Sequence, residues 1–125
     1  PSSSKSVYGS RLENAPEIDN AVIEKIKNEI IDSDLALEVT YETKVATMKF
    51  FIDVKSDTKL EEAKQLSQII LDSLSTKVID FYDIELFFTD PSGENTNYPL
   101  IGYHSKSSTE FSWVDNVAEG DEDEE

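Results

Sequence analysis

Along PEIDNAVIEKIKNEIIDS, apolar side chains recur at Ile18, Val22, Ile23, Ile26, Ile30 and Ile31. Steps of three and four bring such positions to one side of a 3.6-residue turn. The segment is therefore predicted to be an amphipathic helix, with Pro16 confined to its start. The period then changes. In LALEVTYE, Leu35, Leu37, Val39 and Tyr41 alternate with Ala36, Glu38, Thr40 and Glu42, and in TMKFFIDV one side carries Met48, Phe50, Ile52 and Val54. Period two is that of a strand with one covered face. The short TKVA between them suits a hairpin, although it lacks the Asn-Gly or Asp-Gly pair that marks the tightest turns.

A second helix is predicted over SDTKLEEAKQLSQIILDSLST, with its stripe at Leu60, Ala63, Leu66, Ile70 and Leu74 and with Ile69 and Leu71 beside it. Thr58 and Glu61 have the spacing of a capping box. Alternation returns in DIELFFTD, where Ile84, Leu86 and Phe88 oppose Glu85 and Phe87. DPSGEN then supplies a turn, and YPLIGYHS and TEFSW read as returning strands. The order is α-β-β-α-β-β with a short fifth strand at the end. Two helices with one apolar stripe each, and a sheet with one strongly apolar face, define an α+β two-layer sandwich: an antiparallel sheet of four or five strands with both helices on one face. Phe51, Phe87 and Tyr103 fall on the other side.

Both ends depart from this pattern. The opening PSSSKSVYGSRLEN is Ser-rich and poor in large apolar residues, so residues 1–15 are expected to be a flexible tether. Residues 116–125 are expected to be a disordered acidic tail, leaving a single domain at 16–115. The chain has 125 residues, with 27 acidic and 11 basic side chains and a formal charge of −16. Six of the carboxylates lie in Glu119–Glu125, so residues 1–118 still carry −10. Such a field repels nucleic acid and anionic membrane surfaces and favours cationic partners. There is no cysteine, which removes disulfides, thiolate nucleophiles and Cys-held metals from this chain. No run approaches the roughly 20 apolar residues of a membrane-spanning helix.

Catalytic groups are sparse. The only histidine, His104, lies in GYHS on a predicted strand without a visible partner constellation. Ser105, Ser107 and Ser108 lack a G-x-S-x-G elbow, and four glycines in the whole chain form no phosphate-binding loop. Asp90, Ser92, Glu94 and Asn95 offer oxygens around the DPSGEN turn, but not at the spacing of a calcium loop. No catalytic residue, cofactor or metal ligand is assigned. The alternative from enzymology is a small hydrolase that gathers Asp83, Glu85 and Asp90 around His104.

What stands out is a surplus of aromatic residues toward the end of the chain. Phe87, Tyr98, Tyr103, Phe111 and Trp113 are too many for strand alternation to place beneath two helices, so some are expected to be exposed or to form a second, minor core. With His104 they make the candidate interaction surface. The run YDIELFFTD…YPLIGYHSKSSTEFSW, preceded by a helix and a hairpin, resembles the ectodomain of small uncharacterised surface lipoproteins of Gram-positive bacteria. The resemblance covers about Ile18 to Trp113 and brings no activity or site residues with it. It implies a lipid-modified cysteine upstream of Pro1, so that any membrane attachment is through an N-terminal lipid anchor outside this chain. The expectation is thus a non-enzymatic extracellular or cell-surface interaction domain, monomeric, with a protein, peptide or cell-wall glycan as partner. A cytosolic acidic adaptor is the other alternative.

Overall fold

The computed structural model describes residues 15–106 and 108–115. The expected tether and tail lie outside the described residues except for Ala15, which packs half-buried against the core and so belongs to the domain. The first helix, α1 (Asn20–Asp32), starts where the Asp19 carboxylate accepts from the Ala21 N–H at 2.9 Å, satisfying one of the donors a helix start leaves open. Its buried side is Ile23, Ile26 and Ile30. Asp34, at φ 68°, turns the chain and is held by Lys55 at 2.7 Å.

Strands β1 (Ala36–Lys44) and β2 (Thr47–Val54) form the expected antiparallel hairpin through a two-residue turn. The register shifts between Ala36 and Glu38, so Ala36 faces the core while Leu37 is 56% exposed. This corrects the expectation that Leu37 shares a face with Val39. A bulge inserts one residue and thereby reverses the alternation on one side of it. In β2 the alternation is unbroken, and Met48, Phe50, Ile52 and Val54 are fully buried.

Helix α2 (Leu60–Ser73) buries Ala63, Leu66 and Ile70. It is capped by Glu62, whose carboxylate accepts from the Lys59 N–H at 2.9 Å, and not by the expected Thr58–Glu61 pair. Thr58 is buried and its hydroxyl donates to the Leu35 carbonyl at 2.8 Å, tying the helix start to the start of β1. A one-and-a-half-turn helix, α3 (Thr76–Phe81), follows; Ser75 accepts from the Val78 N–H at 3.3 Å to start it. Six residues are too few to show an apolar stripe in sequence.

Strands β3 (Asp83–Thr89), β4 (Leu100–His104) and β5 (Ser112–Val114) complete one five-stranded sheet in the order β1-β2-β3-β4-β5. The α+β class is the one read from sequence, and so is the order of elements apart from the short α3. The sheet, however, is mixed: β2 and β3 pair in parallel, and the other neighbours are antiparallel. After β2 the chain crosses the sheet through α2 and α3 and returns to the end from which β2 started. The next strand placed beside β2 must then run the same way. One core results. Ile23, Ile26 and Ile30 of α1, Ala63, Leu66 and Ile70 of α2, and the even-numbered residues of β2 and β3 form a single buried cluster, so both helices cover the same face. Each Val, Leu, Ile, Met or Phe side chain among them contributes about 1.5–3 kcal/mol on full burial. No helix among the described residues is long and apolar enough to cross a membrane.

Candidate functional site

Among the described residues no helix lies over the opposite face of the sheet, and the strand register shows what that face presents. Thr40, Phe51, Phe87, Ile101 and Val114 are direct partners across β1 to β5, so one row crosses the whole sheet. Four of its five members are apolar. Phe51 and Phe87 touch with ring centroids 5.4 Å apart, while Val114 at the end of the row is 65% exposed. With strands about 4.8 Å apart, the stretch from Phe51 to Val114 covers roughly 14 Å.

Polar rows flank it. On one side lie Glu42, Lys49, Glu85, Tyr103 and Ser112, and on the other Glu38, Asp53 and Thr89. Lys49 is engaged by Glu85 at 3.7 Å, and Asp53 accepts from the Thr89 hydroxyl at 3.0 Å. Glu38 and Glu42 are exposed and form no ion pair among the described residues. Lys44 and Asp83 close the face at the hairpin end, where Asp83 accepts from the Lys106 N–H at 2.9 Å. The face is therefore an apolar band set between rows in which carboxylates outnumber cations.

Of the aromatic residues singled out in the sequence, only Phe87 and Tyr103 lie here; Tyr103 is 41% exposed. The other four point to the helix side, which corrects their expected membership in one exposed surface. Tyr98 is buried, and its hydroxyl donates to the Thr58 carbonyl at 2.8 Å. His104 is 1% exposed and stands 5.1 Å from the Phe111 ring; Phe111 in turn stacks on Trp113 at 5.5 Å. Trp113 continues the chain to Phe88 at 6.2 Å, and the Lys64 ammonium of α2 lies 5.9 Å over its indole. Tyr98 and Phe111 join the one core beneath the helices and Trp113 packs against it, so the expected second, minor core is an extension of the first. Parity separates them: Gly102 and Trp113 are partners on the core side, whereas Ile101 and Tyr103 face outward. The side-by-side aromatics of the sequence are thus divided between two faces.

The hydrolase constellation is divided in the same way. Glu85 pairs with Tyr103 on the open face, His104 pairs with Ile84 on the covered one, and the sheet lies between them. Among the described residues Nδ1 of His104 has no hydrogen-bond partner. Asp90 is occupied by its own turn. Its carboxylate accepts from the Asn95 N–H at 2.8 Å, the Ser92 N–H at 3.0 Å and the Ser92 hydroxyl at 2.8 Å, and the Asn95 bond above all holds its pKa below the ordinary carboxylate range. Asn95 also donates to the Ser56 carbonyl at 2.9 Å, so the turn fastens the loop between β2 and α2. Asp34 is likewise held low, by its hydrogen bond to Lys55. These carboxylates are tuned toward the charged form, the opposite of what a general acid requires. Among the described residues no group of three or more histidine or acidic side chains is arranged to hold a metal ion.

Sequence reading missed Ile101 and Val114 as members of the outward row, and it placed Phe51 on that face without counting it in the site. Ile101 was available from alternation with Leu100 and Gly102. Val114 was not, because β5 is three residues long and its register is set by β4. Comparisons of the chain with protein-family models, curated proteins and solved structures found no match. The reading of this face rests on its geometry and charge.

Proposed function

We propose that the chain is a non-enzymatic protein-interaction domain that engages its partner through the open sheet face. The observation that carries this reading is the half-buried to exposed row Phe51–Phe87–Ile101–Val114, over which no helix lies among the described residues, on a sheet whose other side is closed by two helices. Scattered exposed apolar side chains are ordinary on a protein surface, but a contiguous band rimmed by polar groups is the form an interface takes. Cell-surface display rests on the lipoprotein resemblance and the Ser-rich start. A signal peptide ending in a lipobox cysteine in the upstream reading frame would support it, and a reading frame without one would remove it.

The test uses the full chain immobilised on resin and challenged with extracts and secreted proteins of the source cells. A Phe51→Ser, Phe87→Ser variant and an Ile31→Ser variant on exposed α1 serve as comparison. Retention of a partner by the wild type and by Ile31→Ser, with loss in the double variant, is the expected result. Equal retention by all three chains, or by none, would overturn the assignment.

A further inference from the structure

The charge pattern around the apolar row defines the chemistry of the partner. We infer that the open face takes a cationic segment of another protein, one in which lysine or arginine side chains flank a short aliphatic or aromatic core. This rests on the interaction reading above and adds the partner's chemistry to it. The apolar row asks for a few large side chains within roughly 14 Å, because that is the span of three strand spacings. The rows on either side then decide which charges come along. Glu42 and Glu38 stand on the β1 side of the row, one to each flank, and neither has an ion-pair partner among the described residues. Asp53 and Asp83 also lie on the face, where they accept hydrogen bonds from Thr89 and Lys106. Lys49 is neutralised by Glu85. A segment entering with basic flanks meets unpaired carboxylates on both sides, and its approach is accelerated by the −16 charge of the chain.

Other occupants meet opposition. A second copy would bring its own Glu38, Glu42 and Asp53 toward the same set, and like charges brought together at an interface disfavour the pairing. Nucleic acid and anionic lipid surfaces are repelled by the same field. A cationic polypeptide is the class for which both the apolar and the charged parts of the face are complementary.

The experiment measures fluorescence anisotropy of labelled synthetic peptides titrated with the full chain. One peptide has Lys-Arg flanks around a Leu-Phe-Ile core, a second has Glu flanks around the same core, and a third has Lys-Arg flanks around a Ser-Gly core. The first is expected to bind at least ~10-fold more tightly than either control, and to weaken as ionic strength rises and shortens the Debye length. Glu38→Lys, Glu42→Lys, which alters two exposed side chains and leaves the core alone, should weaken it by ~10-fold or more. Phe51→Ser, Phe87→Ser, checked for folding by circular dichroism, should abolish binding. If the Glu-flanked peptide binds as well, or the lysine variant binds the basic peptide unchanged, the cationic partner is wrong; the face itself survives provided the serine variant still loses binding. If no peptide binds, or if sedimentation shows a wild-type dimer that the serine variant loses, the inference is overturned, in the latter case in favour of a second copy.

Discussion

The indole of Trp113 lies directly over Gly102, so close that a Cβ on Gly102 would stand 2.6 Å from Cζ3 of the ring. The glycine lets the short strand β5 lay its tryptophan flat on β4, between the sheet and Lys64 of α2. Gly102→Ala must therefore push the indole aside and β5 with it. A loss of about 1–3 kcal/mol in urea unfolding is expected, as for other overpacked sites, together with a shift of Trp113 fluorescence toward the exposed range. An alanine variant with unchanged stability and emission would show that Trp113 does not rest there.

Phe50 and Phe51 are adjacent in sequence and on opposite faces of β2. Phe50 is fully buried against the helices, and its ring lies 4.8 Å from Tyr41. Phe50→Ala should lower stability by about 3–5 kcal/mol through lost contacts and a residual cavity. Phe51→Ala removes a half-buried ring and its contact with Phe87, for which about 1–2 kcal/mol is expected. Denaturant midpoints of the two variants should differ accordingly, and equal losses would contradict the two-layer architecture.

Tyr98 makes the fold sensitive to alkali. Burial, reinforced by the nearby charges of Glu62 and Asp90, pushes its phenol up to about 12, against about 10 in an unfolded chain. The unfolded state loses this proton first as pH rises, so it binds fewer protons than the folded state between about 10 and 12, and stability falls across that window. Below it the contribution is complete. Tyr98→Phe loses the bond to the Thr58 carbonyl, about 1 kcal/mol, at neutral pH. Its deficit relative to wild type should shrink as pH rises from 10 to 12, measured by urea unfolding of both. A deficit that stays constant would exclude the shift.

The β1–β2 turn contains a strained residue. Val45 sits at φ 56°, in the left-handed region that a β-branched side chain resists, and its side chain is 58% exposed. Little packing is lost on its removal. Val45→Gly should raise stability by about 0.5–1 kcal/mol, the relief of strain exceeding the entropy that glycine adds to the unfolded chain. Thermal unfolding of the two chains decides it, and a lower midpoint for the glycine variant would contradict the turn geometry.

Much of this was legible in the residues because local period and burial agree. Met48, Phe50, Ile52 and Val54 are fully buried, as alternation demands, and Ala63, Leu66 and Ile70 are where the helical stripe puts them. What was not legible depends on partners distant in sequence. The parallel β2–β3 pair follows from the path of the α2–α3 crossover, and the exposure of Leu37 follows from a bulge that only the β2 register reveals. The division of the late aromatics has the same origin. Tyr103 and His104 are neighbours in the chain, yet the sheet separates them, and His104 is covered by Phe111. The candidate site was therefore found in part: Phe87 and Tyr103 belong to the open face, whereas Tyr98, His104, Phe111 and Trp113 hold the covered side together.

The most direct measurement for the open face is hydroxyl-radical footprinting of the full chain, alone and with the partner retained on the resin. Side-chain oxidation reports contact residue by residue, and the two surfaces of the domain carry distinct reporters. Phe51, Phe87, Tyr103 and Val114 mark the sheet face, and Ile31 lies on exposed α1. The account predicts that oxidation of the first four falls when the partner binds while that of Ile31 does not change. Protection of Ile31 with undiminished oxidation of Phe87, Tyr103 and Val114 would contradict it.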